Sequence, residues 1–186
     1  MKITLTGKQV DIGDRLRNHV EENIELTVNK YFNDPISTNI SLSKEGEEDF
    51  RAEVTAHPAK GVILNGTGVA GDPYSAFDAA NTHIATRLRR HKNKLNDHKG
   101  KDGFSELANI SIFTEEAEKE EVEYAPLTIA ETDTNVLTCT VSEAIMHMDL
   151  ADENAIMFRN TSNGQLNMVY RRKDGNIGWI DPKTTK

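Results

Sequence analysis

An acidic segment in the middle of the chain limits what this 186-residue protein can fold into. Residues 102–135 hold ten Asp or Glu side chains and one base, Lys119, and the stretch TEEAEKEEVEYAP (114–126) within them has few apolar residues. Like charges at this density repel one another, and the segment offers little apolar surface to bury, so we do not expect it to form a core. The chain therefore divides into an N-terminal part and a C-terminal part.

The N-terminal part, residues 1–101, combines four strand patterns with two helix patterns. Apolar residues recur at every second position in the strands and at every third or fourth position in the helices. The first helix is predicted over 14–32, and the second begins at Pro73, behind Asp72 as its cap. The order β-α-β-β-β-α predicts an α+β domain in which two helices cover one face of a four-stranded sheet.

The C-terminal part, residues 127–186, has the pattern of a small α/β unit. Thr140 and Glu143 form the capping box T-x-x-E of a short helix that runs to Leu150. Three strand patterns follow, separated by two hairpin-turn sequences, SNGQ and KDGN. These signals predict a short helix followed by β-hairpins.

Together these patterns place the domain boundaries. We predict an N-terminal domain at 1–101, an acidic flexible linker at 102–126 and a C-terminal domain at 127–186. Residues 107–113, inside the linker, are also compatible with a short strand. We expect the linker to be mobile and to keep the two domains from docking on each other.

A basic run lies at the end of the second predicted helix. Residues 85–101 contain seven Lys or Arg and one acid, Asp97, although the chain as a whole has a formal net charge of −8. Six residues are candidates for binding phosphate groups: His83, Arg87, Arg89, Arg90, Lys92 and Lys94. On a helical wheel four of them form one exposed stripe, with Arg89 and Lys92 beside it: His83, Arg87, Arg90 and Lys94.

Such a stripe can follow a nucleic-acid backbone, because its cations recur along the helix and the Arg guanidinium binds phosphate with two donors. We predict nucleic-acid or ribosome binding. The alternative is a solvated face whose cations are favoured near a helix C-terminus. The strands lack an exposed aromatic pair on which single-stranded bases could stack, which favours structured RNA.

A glycine motif precedes the second helix. The residues from Gly66 to Gly71 match G-x-G-x-x-G, the pattern of a dinucleotide-binding turn. In that turn the third glycine lies inside the first helical turn, whereas here Asp72 and Pro73 follow it. We predict that the glycines, which have no side chain, allow a helix to cross the strand at close distance. A nucleotide-binding enzyme is the alternative.

No catalytic or metal-binding pattern is found in the sequence. The six histidines lack metal-ligand spacing, and the single cysteine, Cys139, is predicted to be a small packed residue. No run approaches the roughly 18 apolar residues of a membrane span, and the N-terminus has no signal-peptide pattern. We therefore expect a cytoplasmic protein that is not an enzyme and has no cofactor, no metal and no small-molecule substrate.

The C-terminal part has more large apolar side chains than three strands and one helix can bury. A unit of this size without disulfide or metal is barely stable alone. A symmetric dimer would bury the excess. The alternative is a monomeric unit that packs on the N-terminal domain. The predicted dimer interface consists of Ile156, Phe158, Leu166, Met168, Tyr170 and Trp179. The first five are predicted to form one apolar sheet face, paired across the turn at 162–165.

The C-terminal sequence resembles that of a known family. Residues 158–182 read FRNTSNGQLNMVYRRKDGNIGWIDP, and the preceding helix reads VSEAIMHMDL. Both are similar to the C-terminal signature of the long-form hibernation promoting factors, bacterial ribosome-associated inhibitors. The N-terminal ITLTGKQVDIGDRLRNHVEENI and DPYSAFDAA also resemble that family. Trp179 departs from its pattern, where a smaller apolar residue is expected.

The resemblance implies a function for each domain. The N-terminal domain would bind the small ribosomal subunit in the channel for mRNA and tRNA, contact rRNA through the six basic-helix residues and inhibit translation. The C-terminal domain would form a homodimer and pair two ribosomes. A general structured-RNA-binding chaperone, without preference for ribosomes, is the alternative.

Overall fold

The computed structural model describes residues 1–46, 48–97, 105–113 and 128–182. The first domain consists of β1 (Lys2–Lys8), α1 (Asp14–Asn29), β2 (Ser37–Glu45), β3 (Asp49–Ala59), β4 (Val62–Ala70) and α2 (Pro73–Asp97). The second consists of β5 (Ser105–Phe113), β6 (Thr128–Cys139), α3 (Val141–Leu150), β7 (Ala155–Asn160), β8 (Leu166–Arg171) and β9 (Ile177–Ile180). In these ranges no helix has the length and apolar character needed to cross a membrane.

The first sheet has the strand order β1-β2-β3-β4, with β1 parallel to β2 and the other pairs antiparallel. Both helices contribute to the core against this sheet. The apolar stripe of α1 is buried at every fourth residue, from Leu16 to Val28, and α2 buries residues from Phe77 to Leu95. Asp72 caps α2, since its carboxylate accepts the backbone N–H groups of residues 74 and 75 at 3.0 Å. The predicted β-α-β-β-β-α domain is confirmed.

Helix α2 crosses β4 at the glycine motif. A Cβ atom added to Gly68 would lie 2.3 Å from the carbonyl oxygen of Ala76, and one added to Gly66 would lie 2.7 Å from that of Ala80. A Cβ on Gly71 would meet nothing within 4 Å. The motif therefore serves close packing of a helix on a strand, as predicted.

The second sheet has the strand order β5-β6-β7-β8-β9. Strand β5 pairs antiparallel with β6, which is joined to the parallel β7 through α3. The prediction of a linker over 102–126 is therefore wrong for residues 105–113, which form β5. The high charge of this region argues against a core of its own. A strand, however, needs only a neighbouring strand with which to form hydrogen bonds, and β6 provides one. The rest of the predicted linker, 102–104 and 114–126, lies outside the described residues.

Helix α3 begins at the predicted capping box. The Thr140 hydroxyl accepts the backbone N–H of Glu143, and the Glu143 carboxylate accepts the backbone N–H of Thr140. One side of α3 covers the second sheet in a small core: Cys139, Ala144, Met148, Phe158 and Val169.

The other side of α3 packs on the N-terminal domain. Met146 and Leu150 are fully buried and belong to the same apolar cluster as the core of the first domain. The Asn65 side-chain amide of β4 donates to the carbonyl oxygen of Ala151 at 2.9 Å. The two domains therefore dock on each other, and the expectation that the acidic segment keeps them apart is wrong. The packing of the C-terminal unit on the N-terminal domain, which was part of the monomeric alternative, is observed. The symmetric dimer stays a prediction.

The glycine motif gives a paired test of packing. Gly68→Ala is expected to destabilise the protein by about 1–3 kcal/mol, because the added methyl group overlaps the α2 backbone. Gly71→Ala should change the free energy of unfolding little, since its Cβ meets open space. Urea unfolding of both variants compares them. Equal stability would show that α2 does not need the close approach.

Cys139 reports on the small core. Burial raises the pKa of the Cys139 thiol to about 12, and the Glu143 carboxylate adds to the shift. At about pH 8.5, where an ordinary thiol is half ionised, we expect iodoacetamide to label native protein far more slowly than urea-unfolded protein, because only the thiolate reacts. Phe158→Ala, which removes about 3–5 kcal/mol of packing, should accelerate labelling. Equal rates in native and unfolded protein would contradict this.

Candidate nucleic-acid interface

The six candidate residues of α2 lie in different environments. Arg89 and Lys92 are exposed and form no ion pair with any residue that the structure describes. His83 is exposed, and its Nδ1 lies 2.8 Å from the carbonyl oxygen of Thr67. Arg90 is 59% exposed. These four residues are accessible to a partner.

Arg87 and Lys94 were predicted to be exposed, but in the structure both are partly covered. The Arg87 side chain is only 18% exposed and forms an ion pair with Asp152, just after α3. It also donates to the carbonyl oxygen of Asn65 at 2.5 Å. The Lys94 ammonium donates to the carbonyl oxygen of Ser142 at 3.2 Å. The predicted stripe is therefore partly covered, because α3 lies along this side of α2.

Asp149, near the end of α3, joins the two domains. Its carboxylate lies 2.7 Å from Arg90 and 2.8 Å from His91 on α2, and 3.3 Å from Arg171 on β8. Burial alone would raise the pKa of Asp149. The hydrogen bonds from His91 and Arg171, with the charge of Arg90, outweigh burial and hold the pKa below its usual value. The carboxylate is therefore ionised at neutral pH.

Two acidic residues at the end of α3, Asp149 and Asp152, are a sequence signal for this contact that the sequence analysis missed. An acid in the last turn of a helix faces the negative end of the helix dipole. Asp152 follows with a positive φ of 57°, a conformation that Asp tolerates better than most residues. Two acids at this helix end require cations from elsewhere, and α2 supplies them.

Arg89 and Lys92 lie on the other flank of α2. At 100° per residue, they point away from the side that carries Arg87 and Lys94, so the prediction that they lie beside the stripe is wrong. The accessible basic surface is defined here as His83, Arg89, Arg90 and Lys92. The covered cations are Arg87 and Lys94, with Arg90 shared between solvent and Asp149.

The predicted dimer interface combines residues from both faces of the second sheet. Phe158 pairs with Asn167, whereas Met157 pairs with Met168. Ile156, Phe158 and Trp179 lie on the face covered by α3, while the other predicted residues lie on the opposite face. The prediction of a single shared face is wrong, because residues of even number in β7 pair with residues of odd number in β8.

The face opposite α3 carries a group of apolar side chains, called here the open face: Met157, Leu166, Met168, Tyr170 and Ile180. Met157 is 52% exposed and Ile180 is 47% exposed. The Tyr170 ring lies over Gly178, where a Cβ atom would come within 2.3 Å of the ring. Met157 and Ile180 were missed by sequence reasoning, although the alternation in AIMFRN separates Met157 from Phe158.

Trp179 belongs to a polar network at the edge of the α3 face. Its indole N–H donates to the Asn167 side-chain oxygen at 2.9 Å, and Asn160 donates to the same oxygen at 3.0 Å. The Asn167 amide in turn donates to Asp181 at 3.0 Å. The departure from the family pattern at Trp179 thus supplies a hydrogen bond to a buried amide.

In the part of the chain with described coordinates, no cluster of three His, Cys, Asp or Glu could hold a metal ion. The fold and the surfaces define a two-domain α+β protein with one basic helix and one apolar sheet face exposed.

Comparison with known proteins agrees with this description. Residues 3–96 match the family described as Sigma 54 modulation protein / S30EA ribosomal protein, and residues 123–178 match the family of its C terminus. A ribosome hibernation promotion factor of Rhizobium meliloti (strain 1021) is 42% identical over 190 residues, covering 100% of both chains. One of Bradyrhizobium diazoefficiens is 34% identical over 193 residues, covering 98% of this chain and 95% of that protein.

Among solved structures, the N-terminal domain of Thermus thermophilus Protein Y is 27% identical, with a TM-score of 0.43, and the alignment covers 48% of this chain and 98% of that one. From the family matches and the full-length relatives, the chain belongs to the S30EA ribosomal protein family, that of the ribosome hibernation promotion factors.

Proposed function

We propose that this protein is a cytoplasmic ribosome hibernation factor. Its N-terminal domain binds the small ribosomal subunit in the channel for mRNA and tRNA and contacts rRNA through α2. Bound protein inhibits translation by occupying that space, so the mechanism needs affinity and no chemical step. Its C-terminal domain forms a homodimer that brings two ribosomes together.

The observation that carries this proposal is the end-to-end similarity to hibernation promotion factors, which includes both domains. The accessible basic surface supports it physically. Arg89 and Lys92 are exposed without an ion pair among the described residues, so binding a phosphate costs them no existing partner. Phosphate contacts contribute most of the affinity of such surfaces and make it depend on salt.

The open face supports the proposed dimer. Its five apolar side chains lie on adjacent strands, and a second copy of the same face is the simplest surface that matches their shape and chemistry. Burying each large side chain contributes about 1.5–3 kcal/mol. The open face therefore replaces the interface predicted from sequence, and it retains Leu166, Met168 and Tyr170.

The double variant Arg89→Glu/Lys92→Glu should bind small ribosomal subunits more weakly at every salt concentration. Loss of two phosphate contacts should also reduce the salt slope of the binding constant by about one to two units. Both residues are exposed, so the fold should be unaffected. Co-sedimentation with purified small subunits over a salt series measures both effects.

Arg172→Glu/Lys173→Glu, with the same charge change on the C-terminal domain, is the matched control and should bind like the wild type. Unchanged binding by the Arg89/Lys92 variant would remove α2 from the interface. An A-form RNA duplex provides the second comparison. Equal affinity for the duplex and for the small subunit would favour the general RNA chaperone.

Met157→Asp should convert the protein from dimer to monomer, because it places an unpaired charge on the open face, next to Met168. Light scattering measures the mass. Ile177→Asp is the control, since Ile177 is 41% exposed and lies on the other face of the sheet, opposite Arg171. Binding to single small subunits should persist in both. A Met157→Asp protein that stays dimeric would place the interface elsewhere.

A further inference from the structure

Helix α3 and the loop after it hold three cations of α2. Asp152 pairs with Arg87, Asp149 pairs with Arg90, and the Ser142 carbonyl accepts from Lys94. These are three of the four residues that the helical wheel places on one stripe of α2. The carboxylates occupy positions at which the oxygens of a phosphate would otherwise bind.

The contact is more than a set of surface ion pairs. Met146 and Leu150 of α3 are fully buried in the core cluster of the N-terminal domain. Asn65 bonds the carbonyl oxygen of Ala151, and Arg87 bonds the carbonyl oxygen of Asn65. Apolar burial holds α3 against α2, and the polar contacts fix its position.

We propose that the C-terminal domain is an internal competitor for the nucleic-acid surface of α2. In the closed chain, α3 blocks the approach of a phosphate backbone to Arg87 and Lys94. Opening separates α3 from α2 and frees Arg87, Arg90 and Lys94 for phosphates. The proposal rests on the function proposed above and adds its regulation: the small subunit binds the open form in preference to the closed form.

The closed form lowers the apparent affinity of the protein for the small subunit. If only a fraction of free protein is open, the apparent affinity for the small subunit falls by that fraction. Opening exposes Met146 and Leu150, so the closed form is favoured in the free protein. The accessible basic surface of the closed form can make a first, weaker contact, and the freed cations then strengthen it.

A cross-link tests the proposal without removing a cation. In the double variant Asn65→Cys/Ala151→Cys, a short thiol-to-thiol reagent joins the domains in the closed form, while the native Cys139 is protected by burial. The control is the same protein with each thiol capped separately. Cross-linked protein should bind small subunits at least about tenfold more weakly than capped protein.

Equal binding by cross-linked and capped protein would overturn the internal competition. Failure of the wild type itself to bind small subunits would instead overturn the proposed function. The two failures are therefore distinguishable in one set of sedimentation experiments, with each protein confirmed as folded by circular dichroism.

The opposite change gives an independent measurement. Asp149→Asn/Asp152→Asn removes the competing charges and retains every cation, so it should bind small subunits a few-fold more tightly. Small-angle scattering should show a larger radius of gyration for the free variant. Asp34→Asn/Asp174→Asn is the charge-matched control. A variant that opens in scattering but binds no more tightly than wild type would contradict the proposal.

Discussion

The arrangement of this chain depends on the burial of α3 from two sides. Ala144 and Met148 pack on the second sheet, while Met146 and Leu150 pack on the first domain. A helix that is apolar on opposite sides has no face for solvent and must lie between two surfaces. The sequence VSEAIMHMDL has this property, and it turns a small, weakly stabilised unit into part of a larger core.

The charges around α3 then fix how the two domains meet. The Asp149 carboxylate contacts Arg90 and His91 of the first domain and Arg171 of the second. Partly buried ion pairs of this kind contribute less to stability than to specificity, since much of their attraction offsets the cost of desolvation. Apolar contact can tolerate small shifts of a helix, whereas a carboxylate shared by two arginines and a histidine permits few positions.

Local signals made most of the first domain and the C-terminal turns predictable from sequence. Asp72 before Pro73, the capping box at Thr140 and the turn glycines act within a few residues, so their physics is visible in a short window. The glycine motif was also interpretable, because Asp72 and Pro73 after it do not fit the dinucleotide-binding turn.

The errors on residues 105–113 and on the exposure of Arg87 and Lys94 have a common cause, since each depended on a distant partner. Residues 105–113 became a strand through pairing with β6, and Arg87 and Lys94 were covered by a helix more than 40 residues further along the chain. The interface error was a different matter of register. A four-residue turn pairs residues of even number with residues of odd number, so Phe158 and Met168 face opposite sides of the sheet.

The two faces of the second sheet would separate the two proposed binding events, self-association and phosphate binding. Helix α3 covers one face and connects it to α2, whereas Met157, Met168 and Ile180 lie on the other. Docking of the domains therefore leaves the open face uncovered by α3, and a dimer can form whether the chain is open or closed. Binding of phosphates at Arg87 and Lys94 does depend on opening, because in the closed chain Arg87 pairs with Asp152 and Lys94 donates to Ser142. Under the proposed internal competition, self-association through the open face would not depend on opening. Phosphate contact at Arg87 and Lys94 would depend on it, whereas the first contact through Arg89 and Lys92 would not.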